Sequence, residues 1–412
     1  MTTAPVLAPA FTERYLLSAD LNADPYGYLD SLREHAPVHW SPMHHAWLVT
    51  GYDQVMRCLR HPAVSADRVR PLMDAVPQGA REDAERAFSV LSRWMVFNDP
   101  PQHRRLRQVF QEQFAARSVA RYRTFSERAT AALLARRSRP GEDGDLMADI
   151  AKPLPALVFA RWLGVPQKDA PSFWYWNARV ADLVLGTAQE ESEYRASLQA
   201  LVSLEDYLAG LVAERRAAPA DDLISSVLGG GRVGRTVTEE EFTGLLTQMA
   251  FAGGETTSNL IANTVLALLE RPDQLEAVRA DPTLVPGAVE ETLRLDGPSK
   301  MSIRTAARDL DLDGHTVRAG ERIFLVTAAA NRDPERFAEP GRFDVRRTGA
   351  THLGFGFGAH FCIGAALARL VAVAVVGTVV RDYPALALRD PDGHAWQPSL
   401  LNRSLTALPV SY

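Results

Sequence analysis

The chain has 412 residues and a formal net charge of −5, with 46 % apolar and 23 % charged residues, ordinary values for a folded protein. Its 27 glycines and 26 prolines exclude collagenous or disordered bulk, and the weakly acidic balance gives no overall pull on nucleic acid. Two cysteines, Cys58 and Cys362, exclude a disulfide framework and any zinc site needing two thiolates, and they suit a reducing cytoplasm.

Met1 to Phe11 carries two prolines and no basic stretch, so it does not read as a signal peptide. Asp24-Pro25 opens a helix running toward His35. Val38 to Trp40 and Ala46 to Thr50 alternate and read as a hairpin. His44 and His45 fall in its turn, where neighbours point opposite ways and do not share a metal. Helical patterns then dominate from Tyr52 to Leu295, with Cys58 on an apolar, core-facing position. Turns are expected at Arg139-Pro140-Gly141, Ala217 to Asp222 and Gly229 to Gly231. None is long enough for a linker, so residues 1–412 read as a single large domain.

Gly229-x-Gly231-x-x-Gly234 fits the dinucleotide fingerprint in letters only. That fingerprint needs a strand before it and a helix opening at it. Here a helix precedes and a separate cap follows. Phe173-Trp174-Tyr175-Trp176 is the densest aromatic cluster and reads as core packing. The longest helix is expected over 238–270. Thr238 and Glu241 form a capping box at its start, and Pro272 stops it.

After Leu295 the texture changes to short β pieces at Ile303 to Ala306, Leu310 to Leu312 and Arg322 to Leu325. A glycine-rich loop at Gly354 to Gly358 leads into a last long helix from Cys362. Its apolar core, Leu370 to Val380, is too short to span a bilayer. Ser404 to Val410 reads as a final strand. The fold class is therefore mainly α with a small β region.

The run from Phe355 to Gly364, within a loop of about 351–364, carries the sharpest chemistry. One cysteine sits where a glycine-rich loop meets a helix N-terminus, and backbone N–H groups with the helix dipole favour a thiolate there. Gly354, Gly356 and Gly358 permit a tight turn and let something flat lie close to the backbone. Gly364 keeps the first helical turn thin. A lone cysteine is more often core, but glycines at these offsets argue against that role here.

The pattern Phe-x-x-Gly-x-x-x-Cys-x-Gly, at Phe355, Gly358, Cys362 and Gly364, resembles that of the cytochrome P450 family of haem-thiolate monooxygenases. The resemblance extends over nearly the whole chain. It implies the cytochrome P450 fold, haem b as cofactor, Cys362 as the axial ligand of its iron, and Phe355 packed beside the sulfur. An anionic sulfur ligand pushes electron density toward bound oxygen and favours O–O cleavage.

Further segments fit the same family. Glu291 and Arg294 lie on one helix face and can pair; the resemblance makes them a buried anchor near the haem loop, completed by Arg347. Gly253 and Gly254 sit inside the long helix, where each costs about 1 kcal/mol relative to alanine. The family uses small residues there to open a groove for dioxygen. Glu255 would then draw protons from solvent and Thr256 would help deliver them. Gly254 departs from the family's more usual larger residue. His103 and Arg107, four apart on one face, match haem-propionate ligands of the family, as do Arg304 and His360. Arg104 and Arg105 read as surface charges, suited to steering an acidic redox partner.

Gln248 and Phe251 share helix phase with Glu255. With Ala252, Lys300 and Leu401 they are expected to line the substrate pocket, Gln248 and Lys300 orienting a polar or anionic group. The expected protein is a soluble, cytoplasmic, bacterial-type P450. It inserts one oxygen atom from O2 into a small organic substrate of secondary metabolism. No flavin or nicotinamide motif stands out, so a separate ferredoxin and ferredoxin reductase are implied, with no nucleic-acid or membrane partner. Oxidative coupling, ring closure or desaturation on the same fold is the alternative. A haem-binding sensor or carrier is the non-enzymatic one, and the intact Glu255–Thr256 pair speaks against it.

Overall fold

The structure, a computed structural model, describes residues 12–137, 142–391 and 393–412. Met1 to Phe11 and the Arg139-Pro140-Gly141 turn lie outside the described residues. The backbone groups into two compact units, one built from Ala66–Tyr122 and Pro155–Glu255, the other from the described parts of Met1–Ser65, Arg123–Leu154 and Thr256–Tyr412.

The first of these units is helical. Its main helices are α1 (Ala84–Ser92), α2 (Ala170–Leu185), α3 (Glu191–Ala217) and α4 (Glu239–Gly253). Each boundary has a local cause. A capping box of Glu190 and Glu193 opens α3, and Gly186 in the left-handed region (φ 71°) closes α2. Thr238 and Glu241 cap α4 reciprocally. Aromatic packing fills the core. Trp94 is fully buried, donates its indole N–H to Thr247 Oγ1 at 2.8 Å, and stacks on Phe97 and Phe251. The aromatic cluster on α2 is split by helix phase: Phe173 is buried, while Tyr175 is 59 % exposed. The Gly229–Gly234 stretch follows the helix Leu223–Gly229 and precedes the α4 cap, which is not the strand–turn–helix setting of a dinucleotide site.

The second unit carries α5 (Glu255–Leu269, whose first residue belongs to the helical unit), α6 (Val285–Leu295) and α7 (Ala365–Asp382). It also holds a five-stranded sheet of β1 (Val38–Ser41), β2 (Ala46–Val49), β3 (Val64–Ser65), β4 (Ser302–Ala306) and β5 (Arg322–Leu325), in the order β1-β2-β5-β4-β3. β1 and β2 form the expected antiparallel hairpin, while β2 and β5 run parallel with Ala46 beside Arg322. Side chains alternate between two apolar clusters. Trp47, Val49, Ile323 and Leu325 face Val55 and Cys58; Ala46, Leu48 and Phe324 face Leu29, Leu32 and Met301. Both faces are therefore covered, the usual condition for parallel pairing.

Several boundaries differ from the sequence reading. The helix expected over 238–270 is two helices, α4 and α5, parted at Gly254 (φ −84°, ψ −74°). The last long helix begins at Ala365, not Cys362, because Gly358–His360 forms a separate 3-10 turn and Gly364 occupies the cap. The expected strand Ser404 to Val410 is two strands in different sheets. Ser404–Ala407 pairs with Ala395–Gln397, and Pro409–Ser411 lies between Asp143–Asp145 and Ala387–Leu388. Among the described residues no helix is long and apolar enough to cross a membrane.

Candidate active site

The two cysteines have opposite settings. Cys58 is buried in the sheet core, and burial pushes its thiol up to about 12, so it stays protonated. Cys362 is exposed, and no disulfide joins the pair. The loop that presents Cys362 is closed by backbone hydrogen bonds. Gly356 N–H donates to Leu353 O (2.8 Å), Cys362 N–H to Phe355 O (2.9 Å) and Phe361 N–H to Gly358 O (3.1 Å). Gly356 and Gly358 adopt φ of 70° and 71°, a region that L side chains resist. At Gly358 a Cβ would also stand 3.1 Å from Leu59 O, so the loop lies tight on the helix Tyr52–Arg60.

A network that sequence reasoning missed braces this loop. Arg369 on α7 donates to both carboxylate oxygens of Glu290 (2.6 and 2.9 Å) and lies 4.5 Å over the Phe355 ring. His352 shares Glu290 at 3.0 Å and accepts the Gly354 N–H through Nδ1. Burial raises the Glu290 carboxyl, but hydrogen bonds from His352 and Arg369 outweigh it and hold the group at about 2. The only sequence signal was Glu290's position beside Glu291.

Glu291, Arg294 and Arg347 are brought together. Arg294 makes a two-pronged contact with Glu291 (2.8 and 2.7 Å), and Arg347 Nε donates to Glu291 Oε1 at 2.9 Å. Arg294 also donates to the carbonyls of Asn331, Pro340 and Arg342. Glu291 and Arg294 are 3 % and 2 % exposed, so the desolvation of both charges is compensated by a nearly complete donor–acceptor set.

The acid–alcohol pair lies at the α4/α5 break, with Glu255 opening α5. Between Phe242 and Leu268 only Ala252 and Thr256 are exposed; Phe251, Gly254 and Glu255 are half-buried. Gln248 is buried at 6 % exposure. His103 is buried and Arg107 half-buried on the short helix Gln102–Arg107 of the helical unit. Arg304 on β4 and His360 in the 3-10 turn are both half-buried, in the other unit.

Two expectations are corrected. Lys300 is buried, and its ammonium donates to Asn22 Oδ1 at 2.7 Å and to Ser399 O, so it does not present itself to an anionic substrate. Burial, with the nearby Arg403 charge, pulls Lys300 down to about 7. Beside it the backbone carbonyl of Leu401 accepts the Lys300 backbone N–H at 2.8 Å, and the Leu401 side chain is half-buried. Arg105 is not a loose surface charge. It donates to both oxygens of Glu241 and to Thr236 O, tying itself to the α4 cap, while Arg104 stays exposed.

The geometry around Cys362 defines a class of site. An accessible sulfur at the mouth of an apolar helix, in a glycine-shaped loop with a half-buried Phe355 and a 37 % exposed Phe361, fits thiolate ligation of a flat, largely apolar, metal-bearing group. Haem fits this setting. The family model for cytochrome P450 matches residues 191–398. Cytochrome P450 monooxygenase PikC of Streptomyces venezuelae is 37 % identical over 98 % of this chain and 95 % of its own. The 6-deoxyerythronolide B hydroxylase of Saccharopolyspora erythraea is 34 % identical over 100 % and 99 %. P450BioI, solved in complex with a hexadec-9Z-enoic acid ligated acyl carrier protein, superposes with a TM-score of 0.87 at 32 % identity, over 96 % of this chain and 100 % of that one.

The chain belongs to the cytochrome P450 family. It is a monooxygenase that uses haem b, O2, a small-molecule substrate and a redox partner.

Proposed function

We propose that this P450 hydroxylates or epoxidises a small organic molecule of secondary metabolism, with electrons delivered by a ferredoxin and its reductase. The observation that carries the reading is the exposed sulfur of Cys362 in a loop whose every turn is fixed by backbone bonds or by Glu290, His352 and Arg369. Similarity to a polyketide biosynthesis cytochrome P450, PksS of Bacillus subtilis, and to the 6-deoxyerythronolide B hydroxylase supports the substrate class.

Cys362 would ligate the iron. His103, Arg107, Arg304 and His360 would hold the propionates, and Phe355 would shield the sulfur from water. When bound, the haem supplies activation of O2 and transfer of one oxygen atom. The remaining chemistry belongs to the chain. Thr256 offers a hydroxyl at an exposed position, able to accept and donate a proton at the same atom. Glu255, half-buried next in sequence, would supply protons toward that hydroxyl. The small Ala252 leaves the helix surface open one turn earlier.

The test is a reduced carbon-monoxide spectrum of purified protein, followed by turnover under 18O2. A thiolate-type Soret band that Cys362→Ala abolishes supports the ligand assignment. One labelled oxygen in the product supports hydroxylation or epoxidation, whereas an unlabelled coupled or desaturated product overturns it.

A further inference from the structure

Glu290 and Glu291 are neighbours on α6, yet they face different partners. Glu291 turns inward to Arg294 and Arg347. Glu290 is half-buried and takes both prongs of Arg369, with His352 on the same carboxylate. Arg369 stands one turn into α7, and helical side chains lean toward the N-terminus, so its long stem reaches back over the Cys362 loop. An ion pair this exposed adds little to stability, with 35 % of the Arg369 side chain and 41 % of that of Glu290 open to water. What the pair fixes is direction, since two N–H···O bonds to one carboxylate set the plane of the guanidinium.

That plane covers Phe355. The guanidinium carbon lies 4.5 Å from the ring centroid, Phe361 meets the ring edge-on at 6.3 Å, and His352 approaches it tilted, also at 6.3 Å. Phe355 needs such holding, because Gly354 and Gly356 flank it and give the backbone freedom on both sides. Its carbonyl accepts the Cys362 N–H at 2.9 Å, so the residue that Arg369 holds is bonded to the residue that presents the sulfur. The charge of the group is balanced. His352 Nδ1 accepts the Gly354 N–H, so the ring's proton sits on Nε2, facing Glu290, and the ring is neutral. One carboxylate then offsets one guanidinium beside the loop.

We propose that Arg369 is a positioning residue for the haem sulfur ligand, holding Phe355 in place within the Cys362 loop, while Glu290 both aims its guanidinium and cancels its charge. The pair thereby sets ring position and net charge beside the sulfur together. This inference deepens the monooxygenase reading above and rests on it. Charge gives the pair a signature that a merely structural brace lacks. Loss of the carboxylate leaves a net positive charge near the loop, which favours the reduced state of a bound haem. Loss of the guanidinium leaves a net negative charge, which disfavours it.

The test uses haem-loaded protein and reads two quantities, the reduction potential of the bound haem and the heat stability of the thiolate-type Soret band in the reduced carbon-monoxide spectrum. Glu290→Gln keeps the side-chain shape and one acceptor for Arg369, so the potential should rise with the band retained. Arg369→Met removes the charge and uncovers Phe355; the potential should fall, and the band should be lost at a lower temperature than in wild type. Arg369→Lys restores the charge without the two-pronged aim. It should return the potential toward wild type and leave the band as heat-sensitive as in Arg369→Met. Arg369→Gln, which keeps a donor for Glu290, replaces Arg369→Met in the comparison if that variant takes up no haem. Potentials that shift the same way on loss of either charge, or that stay at the wild-type value in both cases, overturn the proposal. So does a band as heat-stable without Arg369 as with it. A wild-type protein that shows no Soret band removes the haem reading itself, and the proposal falls with it by a distinguishable route.

Discussion

The ring of Phe159 lies against the backbone of Gly253, only 1.9 Å from where a Cβ on that residue would stand. Phe159 is 8 % exposed and pinned edge-to-face on Trp162, so it has little room to retreat. The next residue differs. A Cβ on Gly254 would meet only the tip of Trp174, at 3.8 Å. Gly253→Ala is therefore expected to lose about 1–3 kcal/mol through overpacking, less the propensity gain of about 1 kcal/mol. Gly254→Ala is expected to be neutral or slightly stabilising. Denaturant midpoints of the two variants decide it, and equal losses would remove the packing argument.

The anchor at Glu291 gives a larger effect. Arg294→Met strips Glu291 of its two-pronged partner and leaves the carbonyls of Asn331, Pro340 and Arg342 without that donor. A loss of about 3–5 kcal/mol is expected, because a buried carboxylate is left with incomplete compensation. The double variant Glu291→Met, Arg294→Met should recover part of it. Urea unfolding monitored by tryptophan fluorescence measures both.

Lys300 makes stability depend on pH in an unusual direction. Its folded value, about 7, lies below the ordinary 10.5 of a lysine. Between those values the unfolded chain binds the extra proton, so stability rises as pH rises. Relative to Lys300→Met, wild type should gain up to about 1.4 kcal/mol per pH unit from about 7 to about 10. The same variant should leave selectivity for anionic ligands unchanged. A flat difference across that range, or an altered anion preference, would place the ammonium elsewhere.

Glu241 runs the opposite way. The hydrogen bond from Arg105 is the largest cause holding its carboxyl at about 2, against an ordinary 4.5. The stabilisation is present in full above the ordinary value and is lost as pH falls toward 2. Arg105→Ala should cost about 1–2 kcal/mol at neutral pH, allowing for the arginine's partial exposure. The gap to wild type should close below about pH 2. Thermal unfolding of both proteins at neutral and acid pH tests the sign.

The sequence by itself determined what neighbours along the chain can decide. The loop around Cys362 was legible because glycines that take positive φ, and a cysteine before a helix start, act within ten residues of one another. The α4 cap and the β1–β2 hairpin were legible for the same reason, as were Glu291 and Arg294, one helical turn apart. Glu290 was not, because its partners His352 and Arg369 arrive from 62 and 79 residues away.

Tertiary structure alone decided the rest. Lys300 looked like a pocket cation until the fold brought Asn22 to it across 278 residues. Arg104 and Arg105 are indistinguishable in sequence, and only packing against Glu241 separates them. Gly253 reads as a groove-former, yet its need for a missing Cβ comes from Phe159, on another helix. The final strand divides because each half pairs with a different distant segment. Periodicity and capping fix local geometry, since they act through bonds within a turn or two. The partners of long side chains depend on which surfaces come together, and that is settled by burial of the whole core.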